Sequence, residues 1–223
     1  NETIKRYGFF KDDFFGIDKV LMKLVNYLHS ASMKGEEARQ VLYLVGPVGA
    51  GKSSLVEALK LALVSCDPIY SIKGCPMHEE PLHLVPNHLR GKFNEMLGTQ
   101  IEGDLCPVCK YRLIHEFNGE YENVPVERKN FSIRSRKGIG VVPPVDPNNQ
   151  DTSILTGSID ISKMDMYPED DTRIFSLNGA FNVGNRGLVE FIEVFKNDVE
   201  YLHTIITATQ EKSIPSPGKG SMI

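Results

Sequence analysis

Val41-Leu42-Tyr43-Leu44-Val45-Gly46-Pro47-Val48-Gly49-Ala50-Gly51-Lys52-Ser53-Ser54 is the stretch on which the fold class turns. From Gly46 to Ser53 it matches the phosphate-binding spacing G-x-x-x-x-G-K-[ST]. The five residues before the loop form a continuous apolar run of strand length, as expected for a strand buried on both faces of a parallel sheet. Residues 54–64 then carry Leu55, Leu59, Ala62 and Leu63 at helical spacing. Strand, glycine-rich turn and helix in this order predict an α/β chain that binds a nucleotide.

The chemistry explains the residue types. A triphosphate is densely anionic, and successive backbone N–H groups can surround it only where glycine permits conformations that a Cβ forbids. Gly49 and Gly51 supply that freedom, within a binding segment of Gly46, Pro47, Val48, Gly49, Ala50, Gly51, Lys52, Ser53 and Ser54. Lys52 offers an ammonium to the β- and γ-phosphates and Ser53 a hydroxyl to Mg²⁺, while the helix directs its positive end at the anion.

The chain of 223 residues is long enough for one sizeable α/β domain, or for such a domain with an insertion, and short for two. Its composition, 41% hydrophobic and 24% charged, is that of a soluble protein, and no apolar run reaches bilayer length. The first residues, Asn1-Glu2-Thr3-Ile4-Lys5-Arg6, lack the apolar core of a secretory signal, so a cytoplasmic location is expected. A net charge of −4 argues against a surface devoted to nucleic acid. The last residues, Ser221-Met222-Ile223, read as the start of a new strand, as in a chain cut before further elements.

Upstream of the loop, Val20, Leu21, Leu24, Val25 and Leu28 predict one apolar helix face. Downstream, Ile69-Tyr70-Ser71-Ile72 reads as a short strand, and residues 73–123 depart from simple alternation as a Cys-rich insertion. Residues 124–133 are of extended type, residues 138–147 read as an irregular Gly/Pro-rich connection, and Asp151 can cap a short helix ending near Gly157. Asn178-Gly179, flanked by apolar residues, predicts a hairpin. Residues 188–192 form a third core-strand candidate, and residues 198–212 a helix with Val199, Leu202, Ile205, Ile206 and Thr209 on one side.

A P-loop enzyme needs an acidic residue at the carboxyl end of a neighbouring strand, where it holds Mg²⁺ through water or orients the attacking group. In Gly187-Leu188-Val189-Glu190-Phe191-Ile192-Glu193, Glu193 stands at that end and is the expected catalytic carboxylate beside Lys52. Glu190 lies about 10 Å back along an extended strand, where a carboxylate needs a basic partner or an interface.

Cys75-Pro76-Met77-His78 and Cys106-Pro107-Val108-Cys109 share one form: a cysteine, a proline, an apolar residue and a second soft ligand. Two such turns can complete a tetrahedron, so Cys75, His78, Cys106 and Cys109 are the expected structural zinc ligands, with His83 or His88 as substitutes for His78. Reduced thiols in a loop, or a redox Cys-x-x-Cys pair, are the alternatives. Cys66 reads as a small core residue. Arg128, Lys129, Arg134, Arg136 and Lys137 around Phe131 read as a solvated strand edge, or else as a pore or nucleic-acid contact.

Three segments together carry a family resemblance: residues 43–54, residues 187–196, and residues 202–211 with Thr207-Ala208-Thr209-Gln210-Glu211. Over essentially the whole chain the sequence resembles the PrkA-type bacterial serine protein kinases, whose N-terminal region is an AAA+ ATPase domain. The resemblance implies a doubly wound AAA+ core of P-loop type over 1–223, with a parallel sheet flanked by helices, ending before the sensor and lid elements. It places Phe15, Gly16 and Ile17 near the adenine, and Lys52 and Ser53 at the phosphates and Mg²⁺. Gly184-Asn185-Arg186-Gly187 resembles the lead-in to the acidic strand of chelatase-like AAA+ proteins. AAA+ proteins carry Asp-Glu at the end of that strand, where this chain has Ile192-Glu193. The implied partners are a protein substrate and further copies of the chain in a ring. The implied activities are phosphoryl transfer to protein serine, ATP-driven proteolysis or remodelling, or nucleotide-gated interaction without turnover.

Overall fold

The computed structural model describes residues 4–144, 151–168, 171–196, 199–215 and 217. Helix α1 (Asp18–Ser32) begins with an acid in its first turn and ends with His29 in its last, both favourable to the helix dipole, and it buries Leu21 and Leu24. Helix α2 (Lys52–Val64) starts at Gly51, whose φ of 77° is the left-handed conformation glycine adopts freely.

Strand β1 (Ile69–Ile72) follows, as its alternating residues predict, and after it the chain makes a long excursion through α3 (Asn87–Leu97) and α4 (Pro107–His115). Gly98, left-handed at φ 62°, stops α3. Pro107 opens α4 in the first turn, where its missing N–H costs nothing. The excursion returns as β2 (Val126–Lys129), antiparallel to β1 with Ile72 opposite Val126. Its two ends are thus pinned together, and a core of Ile72, Met77, Leu84, Val124, Leu177 and three cysteines fills the space above them.

Strand β3 (Ile139–Val142) comes next, then α5 (Ser153–Thr156), β4 (Ser158–Ile159), β5 (Phe175–Ser176), α6 (Ala180–Gly184), β6 (Leu188–Phe191) and α7 (Val199–Glu211). β3 and β6 run parallel, with Ile139 opposite Leu188 and Val142 opposite Phe191, whereas β4 and β5 are antiparallel. This is a mixed α/β arrangement with a parallel pair at its centre. Val142, Leu155, Ala180 and Tyr201 pack one core around that pair. Phe10, Leu21, Leu24 and Leu55 pack another between the N-terminal segment, α1 and α2. Among the described residues no helix is long and apolar enough to cross a membrane.

Four sequence expectations need correction. Residues 41–45 pair with no strand among the described residues: Leu44 packs against the α1–α2 core, while Val41 and Val45 stand open at 52% and 80% exposure. The glycines after residue 137 mark a buried strand rather than an irregular connection, since a Cβ on Gly140 of β3 would lie 2.3 Å from the Ala180 carbonyl oxygen. No hairpin forms at Asn178-Gly179. Gly179 caps α6, and a Cβ there would meet the Leu155 oxygen at 2.3 Å. Cys66 is exposed rather than part of a core, with its thiol at 3.3 Å from the Ala62 carbonyl.

Candidate functional site

The loop from Gly46 to Gly51 turns twice through left-handed backbone, at Gly49 (φ 80°) and Gly51 (φ 77°), and delivers the chain into α2. No side chain caps that helix, and its first return bond is from Leu55 N to the Gly51 oxygen at 2.9 Å. The first-turn N–H groups therefore lack intrahelical acceptors and collect at the loop with the positive end of the helix dipole. Lys52 folds over the same loop, its Nζ donating to the carbonyls of Gly46 and Pro47 at 2.7 Å each. Ser53 and Ser54 are exposed beside it. Backbone donors, an ammonium and a hydroxyl converging on one turn suit a polyphosphate and its divalent cation.

The N-terminal segment sits against the same helix. Ile17, at the start of α1, packs with Phe10 and Phe14 on a core that includes Leu55 and Leu59 of α2. Gly16 is left-handed at φ 75°, and Phe15 is 80% exposed. A cavity of about 180 Å³ opens here, lined by Lys5, Arg6, Tyr7, Phe10, Phe15 and Gly16 among others. Aromatic faces beside cations suit a planar, electron-rich base. Of the three expected adenine residues, Ile17 thus packs on the core that α2 shares, while Phe15 and Gly16 line the cavity beside it.

The acidic strand reaches α2 through Glu190. Its Oε2 lies 2.6 Å from Lys60 Nζ, which also meets Glu57 Oε1 at 2.6 Å, and Lys60 is only 4% exposed. Burial works against the charge on Lys60, but hydrogen bonds to Glu190 and Glu57 outweigh it and raise its pKa. Glu193 lies beyond the end of β6 in a left-handed turn (φ 54°), exposed, with its carboxylate 2.6 Å from Lys196 Nζ. Two residues on, Phe195 meets Tyr43 edge-on at 4.9 Å, so the end of the acidic strand and the residues leading into the phosphate loop are neighbours. Lys60 was not singled out by the sequence reading. Its signal was a cation set between Leu59 and Leu61 on a helix with an apolar face.

The cysteines converge as well. Ligand atoms of Cys75, Glu79, Cys106 and Cys109, all buried, lie within 4.8 Å of one another. Sγ of Cys75 and Sγ of Cys106 are 4.0 Å apart, against a ligand separation of about 3.8 Å in a tetrahedron with Zn–S bonds of about 2.3 Å. Cys106 caps α4 and accepts from Cys109 N at 3.4 Å, which sets the two thiols on one side of a single turn. Hydrogen bonds from Cys106 and Cys109 hold the Cys75 thiol down to about 3. The Cys109 thiol is pushed up by hydrogen bonding to Cys106 and Cys75 and by burial.

Here the structure departs from the expected set: the side chain grouped with the three cysteines is Glu79, while His78, left-handed at φ 53°, is not in the group. Its Nδ1 is buried without a hydrogen-bond partner among the described residues, and burial, then the charge of Lys129, lowers its pKa. Glu79 Oε1 instead accepts from Cys106 N at 2.7 Å and lies 3.2 Å from His83 Nδ1, so His83 supports the carboxylate. The signal missed was position: Glu79 follows immediately on Cys75-Pro76-Met77-His78.

A family description, the PrkA AAA domain, matches residues 1–223. Among curated proteins, the ATP-dependent protease PrkA of Bacillus subtilis (strain 168) is 44% identical over 214 residues, 93% of this chain and 34% of that protein. The serine/threonine kinase YeaG of Escherichia coli (strain K12) is 35% identical over 218 residues, 95% of this chain and 34% of that protein. The chain thus spans about a third of the length of the curated relatives it matches. No solved structure matches.

Proposed function

Because the chain belongs to the PrkA AAA domain family, we propose that it is the Mg-ATP-binding module of a cytoplasmic PrkA-like serine protein kinase. The observation that carries this reading is the loop itself: an uncapped α2 N-terminus, two left-handed glycines and Lys52 Nζ folded over the turn. Residues 46–54 bind the triphosphate, and Phe15, Gly16 and Ile17 flank the base. Ser53 would hold Mg²⁺, which supplies charge neutralisation between the β- and γ-phosphates. On transfer, Lys52 releases the Gly46 and Pro47 carbonyls for the phosphate oxygens, and Glu193 turns from Lys196 toward the attacking group. Cys75, Cys106 and Cys109 hold a structural zinc that supports the excursion between β1 and β2. A protein serine accepts the phosphate, and copies of the chain assemble as an AAA+ ring without nucleic acid.

A second reading, an ATPase that powers proteolysis, is favoured by the name of the Bacillus relative. Following the γ-phosphate of labelled ATP in the full-length protein, with Lys52→Ala as control, separates the two. Label on protein that the substitution abolishes is expected for the kinase. Label only in free phosphate means the motor. Label in neither, with ATP still bound, refutes both and leaves a binding switch.

A further inference from the structure

The turn that bears Cys75 and Glu79 is fastened to the residues that lead into β6, the strand that bears Glu190. Within the turn, the Met77 carbonyl accepts from Asn185 Nδ2 at 2.8 Å and the His78 carbonyl from Arg186 Nη1 at 3.4 Å. The same Arg186 nitrogen donates to the Tyr70 carbonyl of β1 at 2.5 Å. Asn185 and Arg186 are the residues directly before Gly187 and β6. Gly187 rests so close to Gly138 that a Cβ would stand 1.9 Å from its oxygen, and Leu188 N donates to that oxygen at 2.9 Å. β6 then reaches α2 through Glu190 and Lys60.

We propose that Cys75, Glu79, Cys106 and Cys109 form a zinc centre with Glu79 as fourth ligand, and that this centre anchors the acidic strand of the nucleotide site through Asn185 and Arg186. The inference rests on the zinc reading above and deepens it. Three cysteine sulfurs and one carboxylate, all buried and within 4.8 Å of one another, are a donor set and spacing for zinc, since hard cations prefer oxygen alone. The carboxylate has its outer support, from Cys106 N and His83, as ligands do in metal centres. The turn is closed onto β1 by Ile72 N, which donates to the Glu79 carbonyl at 3.0 Å.

Without the ion, nothing covalent holds the Met77 and His78 carbonyls where Asn185 and Arg186 need them. Both His78 and Arg186 are left-handed at non-glycine residues, with φ of 53° and 62°, a conformation that persists only where surrounding contacts impose it. Zinc at the four ligands fixes the turn, the turn fixes Arg186, and Arg186 fixes the register at which β6 meets β3 and α2.

Zinc per chain, and amide exchange of residues 186–192, test this in the full-length protein before and after chelation. About one zinc per chain and exchange at least about ten-fold faster after its removal are expected. Glu79→Gln should weaken zinc retention against a competing chelator by at least about ten-fold, and His78→Ala should leave it unchanged. Asn185→Ala combined with Arg186→Ala should keep the zinc yet speed exchange in the same segment, and this variant decides the matter should the stripped protein unfold throughout. Less than about 0.3 zinc per chain overturns the zinc reading and the inference with it. Full zinc with unaltered exchange in the stripped and doubly substituted proteins overturns the anchoring alone. Zinc lost in His78→Ala and kept in Glu79→Gln overturns the ligand assignment.

Discussion

Replacing Lys60 with methionine should destabilise the protein far more than replacing an ordinary surface lysine. Its ammonium lies 2.6 Å from both Glu190 and Glu57, and only Glu57, at 55% side-chain exposure, can turn to water when the ammonium is gone. Glu190, at 16%, is left as a nearly buried carboxylate without a cation. Breaking a buried pair from one side costs about 3–5 kcal/mol, and the residual exposure of Glu190 puts Lys60→Met near about 3 kcal/mol. For a chain of this size that is a fall of about 6–12 °C in Tm. Glu190→Gln should cost only about 1 kcal/mol, since Lys60 keeps Glu57. The double substitution Lys60→Met with Glu190→Leu removes both charges and should return to within about 1 kcal/mol of the parent. Urea midpoints with a constant slope measure all three. The folded pKa of Lys60 is raised above 10.5, so the pair's contribution is complete below that value and is lost as pH rises beyond it. A Lys60→Met cost under about 0.5 kcal/mol, or a double substitution costing as much as Lys60→Met and Glu190→Leu measured singly and added, would refute the docking of β6 on α2.

Cys106→Ser should lower bound zinc from about one per chain to below about 0.3, measured by elemental analysis, and zinc that stays at parent level would show that this thiol is no ligand. Gly187→Ala should destabilise by about 1–3 kcal/mol in the same urea assay, because its Cβ would stand 1.9 Å from the Gly138 oxygen; no change would mean β6 can leave β3 freely. The Asp171 carboxyl is held down to about 2 by hydrogen bonds from the Arg173 side chain and backbone N–H. Its contribution should therefore be complete above the ordinary 3.8 and fade as pH falls through about 2, and an NMR titration centred near 3.8 would contradict that. Lys52→Ala should weaken ATP binding at least about ten-fold in a calorimetric titration, with the fold retained.

The start of α2 was legible because its signals are local. A G-x-x-x-x-G-K-[ST] run fixes backbone conformations within a few residues, and the structure shows α2 beginning at Lys52 after two left-handed glycines. β1 and β6 were legible too, the latter with Glu190 requiring a cation, and Lys60 provides it. Residues 41–45 were not, because an apolar run reports a tendency to be buried and says nothing of which strand will accept its hydrogen bonds. Tyr43 and Leu44 find partners by side chain, at Phe195 and in the α1–α2 core.

Glycine misled twice for one reason. It permits a turn, and it also permits two backbones to touch, and the sequence does not say which. At Gly140 and Gly179 the second use prevails, against Ala180 and Leu155, so a strand and a helix cap stand where a loose connection and a hairpin were expected. The turn after β1 adds a third lesson of the same kind. Spacing pointed to His78, with His83 or His88 as substitutes, whereas the structure groups the Glu79 carboxylate with the three thiols and leaves His78 in a left-handed turn beside them. The His78 carbonyl accepts from Arg186 Nη1, 108 residues further along the chain, a contact that no local pattern could have revealed. The turn that bears Glu79 and the residues that lead into β6 are therefore in direct contact, and substituting Arg186 should loosen β6 while the four clustered side chains stay together.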